Sequence, residues 1–228
     1  MKYADFEDLM SIPRMSRYNL ACGNQAEKVM TLYRANLRLS HEVFSVLGVF
    51  EVVLRNRIDV HYKTVYNPVI GNDEWLLYAA NPGGFYATGH TAKTQQSILN
   101  SITDLGGTYT HNKLLAELTF GFWRFQFGPK EFSAAGSTLL HIFVNRPHGT
   151  NHTTIFNKLK QINNIRNRIA HHEPICFDAM GHSISTTYVV NHYNEIVELL
   201  QWMNIDANDL FYGMNGVQKE VDFINGMV

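Results

Sequence analysis

The sequence has only two cysteines among its 228 residues, Cys22 and Cys176, and they lie far apart. No spacing of cysteine and histidine matches a familiar metal site, so we expect neither a metal ion nor a cofactor. Two isolated thiols also exclude a disulfide framework and are typical of a reducing compartment.

Long hydrophobic runs are missing as well. The longest apolar run, residues 43–54, is interrupted by Ser45 and Gly48, carries Glu51, and is too short to span a bilayer. No basic start leads into an apolar signal segment. The sequence therefore predicts a soluble cytoplasmic protein with no membrane partner.

The chain also lacks a glycine-rich phosphate loop and any convincing series of alternating strands. Apolar residues instead recur at helical spacing, most regularly at Ile155, Leu159, Ile162, Ile165 and Ile169. We predict an all-α fold in a single domain over residues 1–228, with the helices of residues 1–80 as a subregion packed on the core. Residues 25–66 follow helical spacing for so long that a break near Ser40 is expected.

Acidic residues are absent from one window. Residues 132–172 contain five Lys or Arg and no Asp or Glu, whereas residues 173–228 contain eight acids and only Lys219. This basic window suits a polyanion such as nucleic acid, and it equally suits a solvated helix face paired with the acidic C-terminal region.

The basic window ends in residues 162–175, where Arg166, Asn167, His171 and His172 fall within seven residues, just before Pro174. Cleavage of RNA without a metal needs proton transfers, which histidine supplies near neutral pH, and a cation that stabilises the phosphoryl oxygens. Arginine suits that charge, and asparagine can orient a phosphate or a ribose hydroxyl. Because the nucleophile is the 2′-OH, such a site would cut RNA and spare DNA.

One regular helix does not bring these groups together. Asn167 and His171 are four residues apart and share a face, but Arg166 lies about 140° from His171 at about 100° per residue. The helix is therefore distorted there, or the phosphate sits between elements, or a second chain completes the site. The last option predicts a homodimer.

The spacing of arginine and histidine is not selective by itself, because four arginines precede a histidine by five to seven residues: Arg34, Arg55, Arg146 and Arg166. Only Arg55 and Arg166 are followed directly by asparagine, within the echoing segments LRNRIDVH (54–61) and IRNRIAHH (165–172). Only Arg166 lies in the acid-free window.

The segment RNRIAHHEP resembles the signature of the HEPN superfamily, whose Arg-x(4–6)-His motif often begins Arg-Asn. The chain is more closely similar to Abi-like proteins of the AbiD/AbiF kind, which are linked to bacterial abortive phage infection. Three blocks carry the resemblance in the same order: residues 39–58, 118–127 and 165–175.

The resemblance implies a HEPN-like helical bundle with additional helices, homodimerisation, and a metal-independent endoribonuclease that is toxic unless an RNA or protein antitoxin restrains it. It makes Arg166 and His171 the catalytic pair, supported by Asn167. His172 is an alternative histidine at an allowed spacing.

Further residues are predicted to have supporting roles at the site. Arg168, Arg55 and Asn56 are candidates to support the site, and Lys158 and Lys160 are candidate RNA contacts in the basic window.

The structural alternative to a catalytic site is a helix end whose Arg and His cap neighbouring carbonyls. The functional alternative is a non-catalytic module that binds RNA or nucleotides, or that only assembles complexes.

Overall fold

A computed structural model describes residues 2–178 and 181–228, and this part of the chain is built from helices. The described residues form twelve α-helices: α1 (Tyr3–Met10), α2 (Ile12–Ala21), α3 (Ala26–Ile70), α4 (Trp75–Ala80), α5 (Ala92–Leu105), α6 (His111–Glu117), α7 (Phe120–Phe125), α8 (Pro129–Ala134), α9 (His152–Ala170), α10 (Thr187–Trp202), α11 (Ala207–Leu210) and α12 (Val217–Asn225). The only extended pairing within the described residues is an isolated antiparallel bridge between Phe177 and Ile184. The all-α prediction is confirmed.

The chain forms two compact units. The first comprises Met1–Gly48, Asn164–Val197 and Ala207–Val228, and the second comprises Val49–Asn163 and Glu198–Asp206. Helices α3, α9 and α10 each contribute residues to both units. The predicted single domain over residues 1–228 stays a prediction, as does the subregion proposed for residues 1–80.

Helix α3 has 45 residues and continues through Ser40, so the break expected there is wrong. The physical reason is that buried apolar side chains recur at helical spacing on both sides of Ser40, from Leu39 to Val43 and on to Phe50. Tertiary packing therefore supports the helix throughout. Even Pro68 is accommodated in its last turn, and the helix ends at Ile70 rather than near residue 66.

The apolar stripe predicted along residues 150–172 is confirmed as the buried face of α9. Its five aliphatic side chains are all buried: Ile155, Leu159, Ile162, Ile165 and Ile169. Because burial fixes that face, the intervening residues at the C-terminal end of α9, among them Asn167 and Ala170, are exposed. The helix therefore presents its polar residues outward where the predicted site lies.

The second unit contains a buried polar cluster around Asp59. One oxygen of its carboxylate, Oδ1, accepts hydrogen bonds from the Trp75 indole at 2.8 Å and from His111 Nε2 at 2.7 Å. The other oxygen lies 2.8 Å from Lys63 Nζ. Burial raises the pKa of Asp59, but the hydrogen bonds from His111, Lys63 and Trp75 outweigh it, and the pKa falls below its usual value.

None of the helices in residues 2–178 and 181–228 is both long and apolar enough to cross a membrane.

Candidate functional site

Helix α9 ends in a hydrogen-bonded turn that fixes the backbone of the predicted site. The His172 N–H donates to the Ile169 carbonyl at 2.9 Å, and the Glu173 N–H donates to the Arg168 carbonyl at 2.8 Å. This is the Schellman pattern, in which the residue that turns left-handed is usually glycine. Here that residue is His172, with φ of 55°. A side chain in this conformation costs about 1 kcal/mol, and such outliers cluster at functional sites.

Arg168 holds the chain that follows the turn. Its Nη2 donates to the Pro174 carbonyl at 2.6 Å, and its Nε lies 3.4 Å from the Glu173 carboxylate. Its guanidinium also lies over the Tyr188 ring, 5.0 Å from the centroid. The sequence predicts Arg168 as a supporting residue of the site, and these contacts give it a structural role in positioning residues 173 and 174.

Arg166, Asn167 and His171 are left available by the same turn. Asn167 and His171 are exposed and Arg166 is half-buried. The His171 N–H donates to the Asn167 carbonyl at 2.9 Å, so helical geometry extends to His171 and the two side chains share a face. No hydrogen bond or ion pair to a described residue occupies the three side chains. Arg166 and His171 are thus free to meet a ligand.

Binding of a phosphate at this helix end requires additional positive charge. The C-terminal end of a helix carries partial negative charge, which disfavours a bound phosphate. Arg166 lies in the last turns of α9, and Arg14 of α2 donates from Nη1 to the His172 carbonyl at 2.8 Å. Sequence reasoning missed Arg14, because it is 158 residues from His172 along the chain.

A cavity of about 260 Å³ opens beside the turn, within the first unit. Its walls come from α3 and from the C-terminal end of α9, and they are lined by Asn36, Leu37, Ser40, His41, Phe44, Ile169, Ala170 and His172. The sequence does not predict that His172 and His41 line the same cavity. The one available signal is that the spacing of Arg34 and His41 falls within the range that the motif allows, a match too common to be selective.

Asn36 lines the cavity and also forms a hydrogen bond with the segment that follows α9. Its side chain is buried, and its Oδ1 accepts the N–H of Ile175 at 2.8 Å. A backbone N–H cannot donate to the amide nitrogen, so this bond fixes the orientation of the amide group. The Nδ2 donors are therefore the remaining hydrogen-bonding groups of the Asn36 side chain.

The other predicted residues belong to the second unit. Arg55 is half-buried, with its Nε enclosed and without a hydrogen-bond partner among the described residues, and Asn56 is exposed. Lys158 pairs with Glu198 at 2.6 Å and lies 5.5 Å from the Trp202 ring centroid. Its charge is therefore already compensated, whereas Lys160 is exposed. Their roles at the site stay predictions.

Within the part of the chain that the structure describes, no three or more His, Cys, Asp and Glu side chains are grouped to hold a metal ion. Comparison of the chain with family models, curated proteins and solved structures finds no significant match.

Proposed function

We propose that this chain is a metal-independent endoribonuclease of the HEPN and Abi-like kind, acting as a toxin-like effector of abortive infection in the cytoplasm. The observation that carries the proposal is the pairing of Asn167 and His171 on one exposed face, next to an unpaired Arg166, at the end of an acid-free helix. The ordered sequence blocks that resemble the family add to it.

The chemistry follows from these groups. The imidazole of His171 takes the proton of a ribose 2′-OH, and the 2′-oxygen attacks the adjacent phosphorus. The bond from phosphorus to the 5′-oxygen breaks, and that oxygen takes a proton from a general acid. The products are a 2′,3′-cyclic phosphate and a 5′-hydroxyl. Arg166 stabilises the charge on the phosphoryl oxygens, and Asn167 orients the phosphate or ribose.

A second copy of the chain supplies what one copy lacks. The reaction needs both a base and an acid, and one α9 presents a single motif histidine, His171, on the face that carries Asn167. Two helix ends facing each other bring together two His171 side chains and two Arg166 charges. The active form is therefore a homodimer, and its toxicity implies a restraining RNA or protein antitoxin.

The test uses the full-length protein with labelled single-stranded RNA and DNA of one sequence, in EDTA. Wild type should cleave RNA and leave DNA intact. Arg166→Ala and His171→Ala should each lose about 100-fold or more, the scale of a positioned proton-transfer group. Arg57→Ala, which removes an exposed arginine of α3, is the matched control and should keep full activity.

Two results would contradict the proposal. Undiminished cleavage by Arg166→Ala and His171→Ala would remove these residues from catalysis. RNA binding without cleavage, together with equal tolerance of wild type and His171→Ala on expression in cells, would favour the non-catalytic binding module. The dimer has its own check, since a monomer at micromolar concentration in solution scattering would exclude a shared site.

A further inference from the structure

The cavity between α3 and the end of α9 has the size of a small ring system. Pockets that enclose whole drug-sized ligands have about 300–1,000 Å³, and this cavity has about 260 Å³. It lies beside His172, directly after the proposed catalytic His171. His171 does not line the cavity, but the residue that follows it does, so a ligand fragment in the cavity would sit at the same helix end as the reacting phosphate.

The exposed lining of the cavity is mainly apolar, with a smaller polar part. Leu37, Phe44, Ile169 and Ala170 supply apolar surface, and Asn36, Ser40, His41 and His172 supply polar groups. A planar heterocycle with apolar faces and a polar edge matches that division. An aliphatic side chain would leave the smaller polar part without partners.

Two polar groups are set up for such a ligand. Asn36 lines the cavity, and because the Ile175 N–H occupies its Oδ1, the hydrogen-bonding groups that it retains are the donors of Nδ2. His172 occupies a left-handed backbone position that favours glycine, and this residue lines the cavity. Every nucleobase carries nitrogen or oxygen acceptors at its edge.

Phe44 provides a stacking surface. Its ring is 47% exposed although it borders the cavity, and the neighbouring Leu37 is 43% exposed. Aromatic rings left open beside a cationic site are the platforms on which bases of single-stranded nucleic acid stack. Arg14, held at the His172 carbonyl, adds positive charge for the backbone of the strand.

We propose that this cavity binds the base of the nucleotide next to the scissile phosphate of single-stranded RNA. Phe44 stacks on the base and Asn36 donates to its edge. The inference rests on the ribonuclease function proposed above, and it names single-stranded RNA with an unpaired base at this position as the substrate.

The test measures binding rather than cleavage. The full-length His171→Ala protein is titrated into fluorescent 2′-O-methyl RNA pentamers, each with one abasic position, and anisotropy gives the Kd. We expect one abasic position to weaken binding about tenfold, within the range for one base stacked on one aromatic ring. The added substitution Phe44→Ala should weaken binding of the intact pentamer by a similar factor and abolish the effect of that position.

The controls separate the possible causes. Phe223→Ala removes a ring that is 45% exposed on α12 and should leave the abasic scan unchanged. Ala170→Met, which fills the cavity without removing a contact, should reproduce the effect of Phe44→Ala. The proposal is overturned if no pentamer binds, if the scan is flat, if Phe44→Ala leaves the scan unchanged, or if Phe44→Ala leaves it unchanged and also converts a dimer to a monomer. The last result would assign the cavity to a second copy of the chain.

These outcomes are independent of catalysis. A wild-type protein that binds the base but does not cleave RNA would contradict the ribonuclease function and leave the base pocket standing. Cleavage without dependence on the base would do the reverse.

Discussion

Replacing Arg168 should destabilise the protein far more than replacing Arg166, although the two arginines are two residues apart in one motif. Arg168 lies in three interactions, with the Pro174 carbonyl, the Glu173 carboxylate and the Tyr188 ring. Arg166 has no hydrogen bond or ion pair to a described residue. The sequence assigned both to the site, whereas the contacts separate a structural arginine from an available one.

The magnitude follows from those contacts. A hydrogen bond from a charged group to a carbonyl contributes about 1.5–3 kcal/mol, and a cation–π contact about 0.5–1 kcal/mol. The pair with Glu173, whose side chain is 54% exposed, adds little. We therefore expect Arg168→Ala to lower the free energy of unfolding by about 2–3 kcal/mol. Arg166→Ala should change it by no more than about 0.5 kcal/mol.

Thermal unfolding followed by circular dichroism measures both effects. For a chain of this size, 1 kcal/mol corresponds to a shift in Tm of about 2–4 °C, so Arg168→Ala should melt about 5–10 °C below wild type. Arg168→Met, which keeps the alkyl stem but not the charge, controls for packing and should still lose most of this stability. Equal melting temperatures for Arg168→Ala and Arg166→Ala would refute the separation of roles.

Three further predictions concern stability and reactivity. Hydrogen bonds such as that from His111 depress the pKa of Asp59 in the folded protein. The contribution of Asp59 to the free energy of unfolding is therefore fully present above the unfolded pKa of about 3.9, and it is lost as pH falls through the lower folded pKa. Urea unfolding of Asp59→Asn should lack this acid-dependent component, and an unchanged pH profile would contradict it. Asn36→Ala leaves the buried Ile175 N–H without its acceptor and should lower the free energy of unfolding by about 1–3 kcal/mol in the same assay. An unchanged free energy of unfolding would show that another acceptor takes the place of Asn36. Burial raises the pKa of Cys176 to about 12, so its thiol should react with a disulfide reagent at pH 8 only after unfolding, and fast labelling of the native protein, located by peptide mass spectrometry, would disagree.

Helical periodicity predicted much of the fold because burial follows it. The stripe from Ile155 to Ile169 is apolar in sequence and buried in the structure, and it places Asn167 on the outside. The error at Ser40 shows the limit of local rules. Typical helix lengths favoured a break there, but continuous packing on both sides of Ser40 supports one long helix.

The residues that surround the candidate site could be predicted from the sequence only in part. Arg166, Asn167 and His171 are neighbours in sequence, so a local motif can find them. His41 and Asn36 reach the same helix end from more than 120 residues away, and no local pattern reports that contact. The structural role of Arg168 depends on Tyr188 and on the chain reversal at His172, which the sequence signals only through Pro174.

The central claim, transesterification by the 2′-OH of RNA at the end of α9, is tested most directly by the ends of the cleavage products. RNA digested in EDTA is analysed by mass spectrometry, and the main cleavage site is then resynthesised with a 2′-O-methyl group. We predict 2′,3′-cyclic phosphate and 5′-hydroxyl ends from wild type, no product from His171→Ala, and no cut at the methylated position. Products with 3′-hydroxyl and 5′-phosphate ends, or cleavage at the methylated site, would contradict the account.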